Sequence, residues 1–269
     1  MIIQNLHTHT IFDDGKSTVM EMAQAAYDAG LTSLGFSGHS ILPYQNEWAM
    51  TYETQKQYIA FVRRAREVFG GKLEVFCGLE WDLLSAPPEG FDYVIGSIHH
   101  IASEDEIIPV DESPKTTKNA LERFFGNDPD AFAEAFFSRY EALAQADFVD
   151  IVGHFDLLTK FDEKAHIFRP DSPRYADAAI AALETLVKAD KIFEVNTGAI
   201  GRGWRSSPYP SEALLRELRE RNARVLVTSD AHSTDGIACA FPETEEMLKA
   251  VGFREIWMLT ENGFSPAKL

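Results

Sequence analysis

The sequence predicts an α/β barrel of about seven strand–helix units, with a metal site at the carboxyl ends of its strands. Three observations predict it. Short apolar runs alternate with helical patterns along the chain, and such alternation implies parallel strands joined by crossover helices. The length, 269 residues, is normal for one α/β barrel and long for an ordinary single domain. Every histidine except His166 falls where a strand should end, and in a barrel those ends share one mouth. The alternative, a doubly wound open sheet, lacks its G-x-G-x-x-G phosphate loop in the first turn. No repeat or linker divides the chain, so residues 1–269 read as one domain.

The elements follow in order. A first strand is expected over 2–6, running into Asn5-Leu6-His7-Thr8-His9-Thr10. Residues two apart in a strand share a face, so this His-x-His sets two imidazoles on one side. A helix over 19–29 and a strand over 33–37 lead to Gly38-His39-Ser40. The long connection from 41 to about 53 reads equally well as a substrate wall or a surface excursion. A helix over 52–69 and a strand over 73–79 lead to Glu80-Trp81-Asp82, and a strand over 93–97 leads to Ile98-His99-His100. A second long connection, 101–118, carries the same two readings. One helix is expected over 121–146, then a strand over 148–152 ending in Gly153-His154-Phe155-Asp156. A helix over 175–189 and a strand over 192–195 lead to Asn196-Thr197-Gly198. A helix over 210–221 and a strand over 224–228 lead to Ser229-Asp230-Ala231-His232. A last helix, 243–250, precedes a short apolar run, 256–259.

Composition narrows the function. The net charge of -17 argues against nonspecific nucleic-acid binding and against anionic membrane surfaces. No apolar run reaches the roughly 18 residues of a membrane span. The N-terminus reads as the start of a strand rather than a signal peptide. Cys77 and Cys239 read as buried free thiols, not a disulfide framework. A cytoplasmic location fits.

Nearly every strand end offers a ligand-type residue: His7, His9, Asp13 and Asp14, then His39, Glu80, His99, His154, and last Asp230 and His232. The donors are nitrogen and oxygen only, which suits zinc, manganese or iron(II) and excludes an iron–sulfur cluster. One tetrahedral zinc needs three or four ligands. The surplus implies two or three divalent ions, with a carboxylate such as Glu80 bridging two of them. Multi-metal sites of this kind run in-line displacement at phosphorus or hydrolysis of amides.

The motifs His7-Thr8-His9-Thr10, Phe36-Ser37-Gly38-His39, Gly78-Leu79-Glu80, Gly96-Ser97-Ile98-His99, Gly153-His154-Phe155-Asp156 and Ser229-Asp230-Ala231-His232 resemble, in order, those of the PHP (polymerase and histidinol phosphatase) family. The stretch 194–210 and Glu47-Trp48-Ala49-Met50 look like its histidinol-phosphatase branch. The resemblance implies a distorted (β/α)7 barrel. It implies one metal on His7, His9, Glu80 and Asp230, a second on Glu80, His99 and His154, and a third on His39, His232 and Asp14. Many relatives have histidine at that last place; Asp13 competes with Asp14 for it. The family pattern selects His99 over His100, which is expected to pack or cap. Asp156 and Asn196 are expected to support the site rather than bind metal, and His166 to lie on a loop.

The expected chemistry is hydrolysis of a small phosphate monoester, with a water shared by two ions attacking phosphorus in line. Glu80, Asp230 and His232 are the expected catalytic groups. Lys160, Arg202 and Arg205 are the candidate cations for the phosphate. The resemblance implies L-histidinol phosphate as substrate. The rivals are a PHP phosphoesterase acting on nucleotides or other small phosphates, a polymerase-associated exonuclease-like or structural module, and an amidohydrolase-type deacylase.

Overall fold

The computed structural model describes residues 1–103 and 106–269. In chain order its elements are β1 (Gln4–Asn5), α1 (Val19–Asp28), β2 (Ser33–Phe36), α2 (Tyr52–Phe69), β3 (Glu74–Asp82), β4 (Tyr93–Ser97), β5 (His100–Ser103), β6 (Glu106–Pro109), α3 (Pro114–Phe124), α4 (Pro129–Ser138), α5 (Tyr140–Ala144) and β7 (Ile151–Val152). There follow α6 (Asp162–Ala165), α7 (Pro173–Lys188), β8 (Ile192–Asn196), α8 (Gly198–Gly201), α9 (Glu212–Glu220), β9 (Arg224–Thr228), α10 (Phe241–Val251), β10 (Glu255–Thr260) and β11 (Gly263–Lys268).

Seven parallel strands, in the order β1-β2-β3-β4-β7-β8-β9, form a nearly closed barrel. The seam between β1 and β9 is narrow. Thr8 bridges Ala231, with Ala231 O accepting from His9 N at 2.9 Å. The Asn5 amide reinforces it by donating to Ser229 Oγ (2.7 Å) and Ile237 O (2.9 Å).

Helix starts follow the side chains that satisfy free amides. Thr18 and Glu21 form a capping box on α1, and Thr51 and Thr54 one on α2. Ser172 caps α7 with Pro173 in its first turn.

The strands alternate two environments. Outward residues such as Val94, Val195 and Val227 pack under the helices in one large core. Inward residues Leu6, Phe76, Tyr93, Ile95, Ile151, Ile192 and Leu226 fill the barrel floor with Leu259.

One expectation is corrected, and two stretches left without an element gain one. The helix expected over 121–146 is broken, because Gly126 and Asn127 take positive φ and Asp128-Pro129 starts a new helix. The connection 101–118 holds the antiparallel β5–β6 hairpin and the first turns of α3. The run 256–259 is the first strand of a C-terminal hairpin, β10–β11, that lies outside the barrel sheet. Gln4 fastens that hairpin to the floor by exchanging two 2.8 Å hydrogen bonds with the Leu259 backbone. Cys77 is buried, whereas Cys239 is half-buried. No helix among the described residues is long and apolar enough to cross a membrane.

Candidate metal centre

The inward face that carries apolar residues at the floor carries ionisable ones at the mouth. Glu80 sits at the centre, 1% exposed. Its Oε2 lies 2.9 Å from His39 Nδ1, 3.3 Å from His7 Nε2 and 3.6 Å from His9 Nε2. Its Oε1 lies 2.9 Å from His154 Nε2 and 3.4 Å from His99 Nε2, and accepts from Ser97 Oγ at 2.7 Å. Asp230 Oδ1 approaches His9 Nε2 at 3.3 Å and His7 Nε2 at 3.9 Å. Asp14 Oδ2 lies 3.2 Å from His232 Nε2, and its Oδ1 3.7 Å from His39 Nε2.

The rings are aimed from behind. His7 Nδ1 donates to Glu194 at 2.5 Å, His9 Nδ1 to Asp13 at 2.6 Å and His99 Nδ1 to Asp82 at 3.2 Å. A proton held on Nδ1 leaves the lone pair on Nε2 facing the shared space, the arrangement metal-ligating histidines use. His232 Nδ1 lies between an acceptor, the Asp230 carbonyl at 2.9 Å, and a donor, the Arg202 guanidinium at 3.1 Å.

Asp13 and Asp14 thus differ in role. Asp13 is turned inward, accepting from Thr10 N (2.8 Å) and His39 N (3.1 Å) as well as from His9. Asp14 lines the cavity. The competing assignment of Asp13 as a site ligand does not fit this geometry.

The geometry fits metal ions. His7 Nε2, His9 Nε2 and Glu80 Oε2 are buried without a hydrogen-bond partner, although they face one another. Unpaired buried polar atoms are costly and rare. A cation among them would give each a partner. Among the described residues, three sets of donor atoms lie within 4.8 Å of one another: His9, Asp14, His39 and His232; His7, His9 and Asp230; His39, Glu80 and His99. The last set includes His39 where the family resemblance implied His154, whose Nε2 nonetheless touches Glu80.

Without an ion the charges lean on one another. Burial alone would raise the Glu80 carboxyl, but His39, His7 and His99 hold it well below the usual range. Burial would lower His9, but Asp13 outweighs it and pushes the imidazole up to about 10. Asp230 is held low against burial by Arg202 and His7. Its backbone takes the left-handed region (φ 48°), uncommon for a non-glycine residue.

A cavity of about 760 Å³ opens above this centre. The long connections wall it: Tyr44 and Trp48 from 41–51, and Ile107, Pro109, Asp111 and Glu112 from the hairpin side. His100, expected to pack or cap, anchors that wall. Its Nε2 meets Tyr44 Oη at 2.9 Å, its Nδ1 meets Asp82 at 3.2 Å, and Trp48 stacks on its ring.

Lys160 and Arg202 both line the cavity. Lys160 Nζ is paired with Asp111 at 2.8 Å. Arg202 reaches Asp230 Oδ2 at 2.9 Å and its carbonyl at 3.0 Å. A side chain at Gly198 would collide with this pair, its Cβ falling 2.9 Å from the Arg202 guanidinium. Arg205 is turned away. It is 8% exposed, donates to Thr159 Oγ1 and Pro208 O, and covers the Tyr209 ring. Asp156 sits behind it, accepting from Ser211 N at 3.0 Å. His166 takes a left-handed turn after α6, away from the centre.

Sequence reasoning missed Glu194. It is fully buried and accepts from His7, from His154 N (2.7 Å), from Thr228 Oγ1 (2.6 Å) and from Asn196 Nδ2 (3.0 Å). The signal was a lone carboxylate inside the apolar run Ile192–Asn196. Asp82 was equally readable, two residues after Glu80 and so on the same face.

A family model described as "PHP domain" matches residues 5–198. A protein of Deinococcus radiodurans named "Probable histidinol-phosphatase" is 30% identical over 265 residues, covering 93% of this chain and 94% of its own. A crystal structure from Listeria monocytogenes shares the fold at TM-score 0.79 and 18% identity, over 89% of this chain and 99% of that one. A histidinol phosphate phosphatase structure from Lactococcus lactis, complexed with zinc, L-histidinol and phosphate, superposes at TM-score 0.71 and 18% identity, over 97% and 98% of the two chains.

Proposed function

This chain belongs to the PHP domain family, and on that premise we propose that it is a divalent-metal-dependent phosphomonoester hydrolase that converts L-histidinol phosphate and water to L-histidinol and phosphate. The reading takes the whole chain as one domain working in the cytoplasm on a small molecule. The observation that carries it is the convergence of His7 Nε2, His9 Nε2 and Glu80 Oε2, buried and unpaired, beneath an open cavity that also holds Lys160 and Arg202.

The residues divide the work. His7, His9, Glu80 and Asp230 would hold one ion, and Glu80, His99 and His154 a second. His39, His232 and Asp14 would hold a third. Two or three zinc, manganese or iron ions in these places would supply Lewis acidity and an activated water for in-line attack at phosphorus. Glu194, Asp13 and Asp82 fix which ring nitrogen of His7, His9 and His99 faces the ions. Lys160 and Arg202 meet the phosphate oxygens; Arg202 also braces Asp230. Arg205 has no such task, because its two terminal nitrogens donate to Thr159 and Pro208 and its side chain is buried over the Tyr209 ring. It stiffens the turn that carries Lys160.

Phosphate release tests this reading on protein whose metals have been counted, with L-histidinol phosphate set against nucleoside monophosphates and simple alkyl phosphates. The expected result is more than one metal equivalent per chain and a kcat/KM for L-histidinol phosphate at least about tenfold above the others, a gap of some 1.4 kcal/mol. Chelation should abolish turnover and added zinc, manganese or iron restore it. Full activity with no bound metal would overturn the mechanism. A flat substrate panel would overturn the substrate.

A further inference from the structure

Asp111 is a carboxylate placed over a phosphatase-type centre, where a negative charge opposes the substrate. It lies two residues past β6 and lines the same cavity as Glu80, His99 and His154. Its Oδ2 and its carbonyl oxygen both accept from Lys160 Nζ, at 2.8 and 3.1 Å. Lys160 comes from the turn after β7, so the pair ties the hairpin side of the cavity to the barrel. The carboxyl is held down to about 2: burial works against ionisation, but Lys160 and then His99 overcome it. Its field also reaches Arg202 and His154.

This pairing creates a problem that one class of ligand solves. A phosphate entering the cavity competes with Asp111 for Lys160. If Lys160 turns to the phosphate, Asp111 is left half-buried, unpaired and facing an anion. Leaving one partner of a desolvated ion pair alone is costly. An ester that brings its own cation beside its phosphate removes that cost. Because Nζ and the carboxylate touch, the two replacement charges must be near neighbours in one small molecule, as they are in a 2-aminoalkyl phosphate. Tyr44 and Trp48 from one connection and Ile107 and Pro109 from the other line the same cavity, as apolar surface suited to an uncharged or aromatic remainder.

We propose that Asp111 is the residue that determines specificity, selecting zwitterionic phosphomonoesters by exchanging its Lys160 partner for the substrate's ammonium group. The proposal rests on the phosphatase reading and deepens it. Selection against uncharged esters then comes from the charge they would strand, which is specificity by exclusion.

The test compares O-phospho-L-histidinol with its des-amino analogue, in which hydrogen replaces the ammonium group. The metal-loaded wild type should prefer the amine by about tenfold or more in kcat/KM. Asp111→Asn keeps an oxygen for Lys160 and loses the charge, and should lower that preference by about ten- to a hundredfold, the range of a charge-assisted contact. Lys160→Met should slow both esters and keep the preference. Glu112→Gln, which alters the neighbouring cavity acid, should keep it too. A preference in Asp111→Asn within about twofold of wild type overturns the proposal. So does collapse of the preference in Lys160→Met, which would make the pair a structural clamp, or in Glu112→Gln, which would move the role to Glu112. If the wild type hydrolyses both esters equally, the phosphatase reading stands and this proposal falls. If it hydrolyses neither, both fall.

Discussion

The barrel floor and the barrel mouth are built on the same strands and obey opposite rules. On β8, Ile192 packs in the floor, and Glu194, two residues on, sits fully buried in the mouth. On β9 the pair is Leu226 and Thr228; on β4 it is Ile95 and Ser97. Two residues of strand are about 6.6 Å. Within that distance the interior changes from hydrocarbon to clustered charge. Tyr93 marks the boundary: its ring belongs to the floor, while its hydroxyl donates to the Leu6 and Phe36 carbonyls. The floor needs volume and accepts any apolar shape that fills it. The mouth needs particular atoms, because each buried polar group there must have its partner.

Four experiments test that contrast, from the largest expected effect to the smallest. Glu80→Gln removes the central charge of the mouth. It should lower kcat by about a thousandfold or more, several kcal/mol of barrel-mouth electrostatics, and release metal, with a melting temperature close to that of metal-free wild type. Retention of both metal and turnover would show that Glu80 bridges nothing.

Ile192→Ala acts on the floor, at β8. A buried large-to-small change of this kind costs about 2–5 kcal/mol, at roughly 2–4 °C of melting temperature per kcal/mol for a chain of this order of size. Metal content per folded chain should not change. If elemental analysis shows metal lost along with stability, floor and mouth are not separable.

Glu194→Gln tests whether the mouth depends on the atoms behind the ligands. The amide can point its N–H at His7 Nδ1 and disturb the tautomer. Metal affinity or activity should fall about 10- to 100-fold, the usual effect of such supporting partners. Titration with a competing chelator measures it, and an unchanged affinity would reduce Glu194 to a packing residue.

Cys77 probes the outer face of β3. Burial pushes its thiol up to about 12. A thiol raised above its unfolded value of about 8.5 favours the native state below that pH and ceases to do so as pH rises toward 12. Native protein at pH 8 should therefore resist a charged thiol reagent that labels Cys239. The stability gap between wild type and Cys77→Ala should narrow between about pH 8.5 and 12. Rapid labelling of Cys77 in the native state would show that the face opens.

Much of this contrast is legible in the sequence, and the illegible parts share a cause. The seven barrel strands can be read because each is an apolar run, and all but the one before Asn196-Thr197-Gly198 are followed by a ligand-type residue. The convergence of His7, His9, His39, Glu80, His99, His154 and Asp230 follows once those strands close. What escapes reading depends on contacts between distant segments. Glu194 gains its role from His7, far away in sequence. Asp13 and Asp14 are neighbours with similar chemistry, and only the turn after β1 decides which one meets His9 from behind. Arg205 sits in a loop at the mouth yet turns to Thr159. The β10–β11 hairpin has one apolar strand and one, Gly263–Lys268, whose residues are mostly exposed or half-buried, so no pattern announced it.

That hairpin has a consequence for how the protein is made. Gln4 and Leu259, which join the first strand to the hairpin, stand 255 residues apart. At about 5–20 residues per second, a ribosome takes on the order of ten seconds to a minute to span that interval. Leu6, Phe76 and Tyr93 are all synthesised well before their closing partner, Leu259. Contacts of such sequence separation form slowly. Until Leu259 is made, the floor lacks one of its fillers and Gln4 lacks its partner.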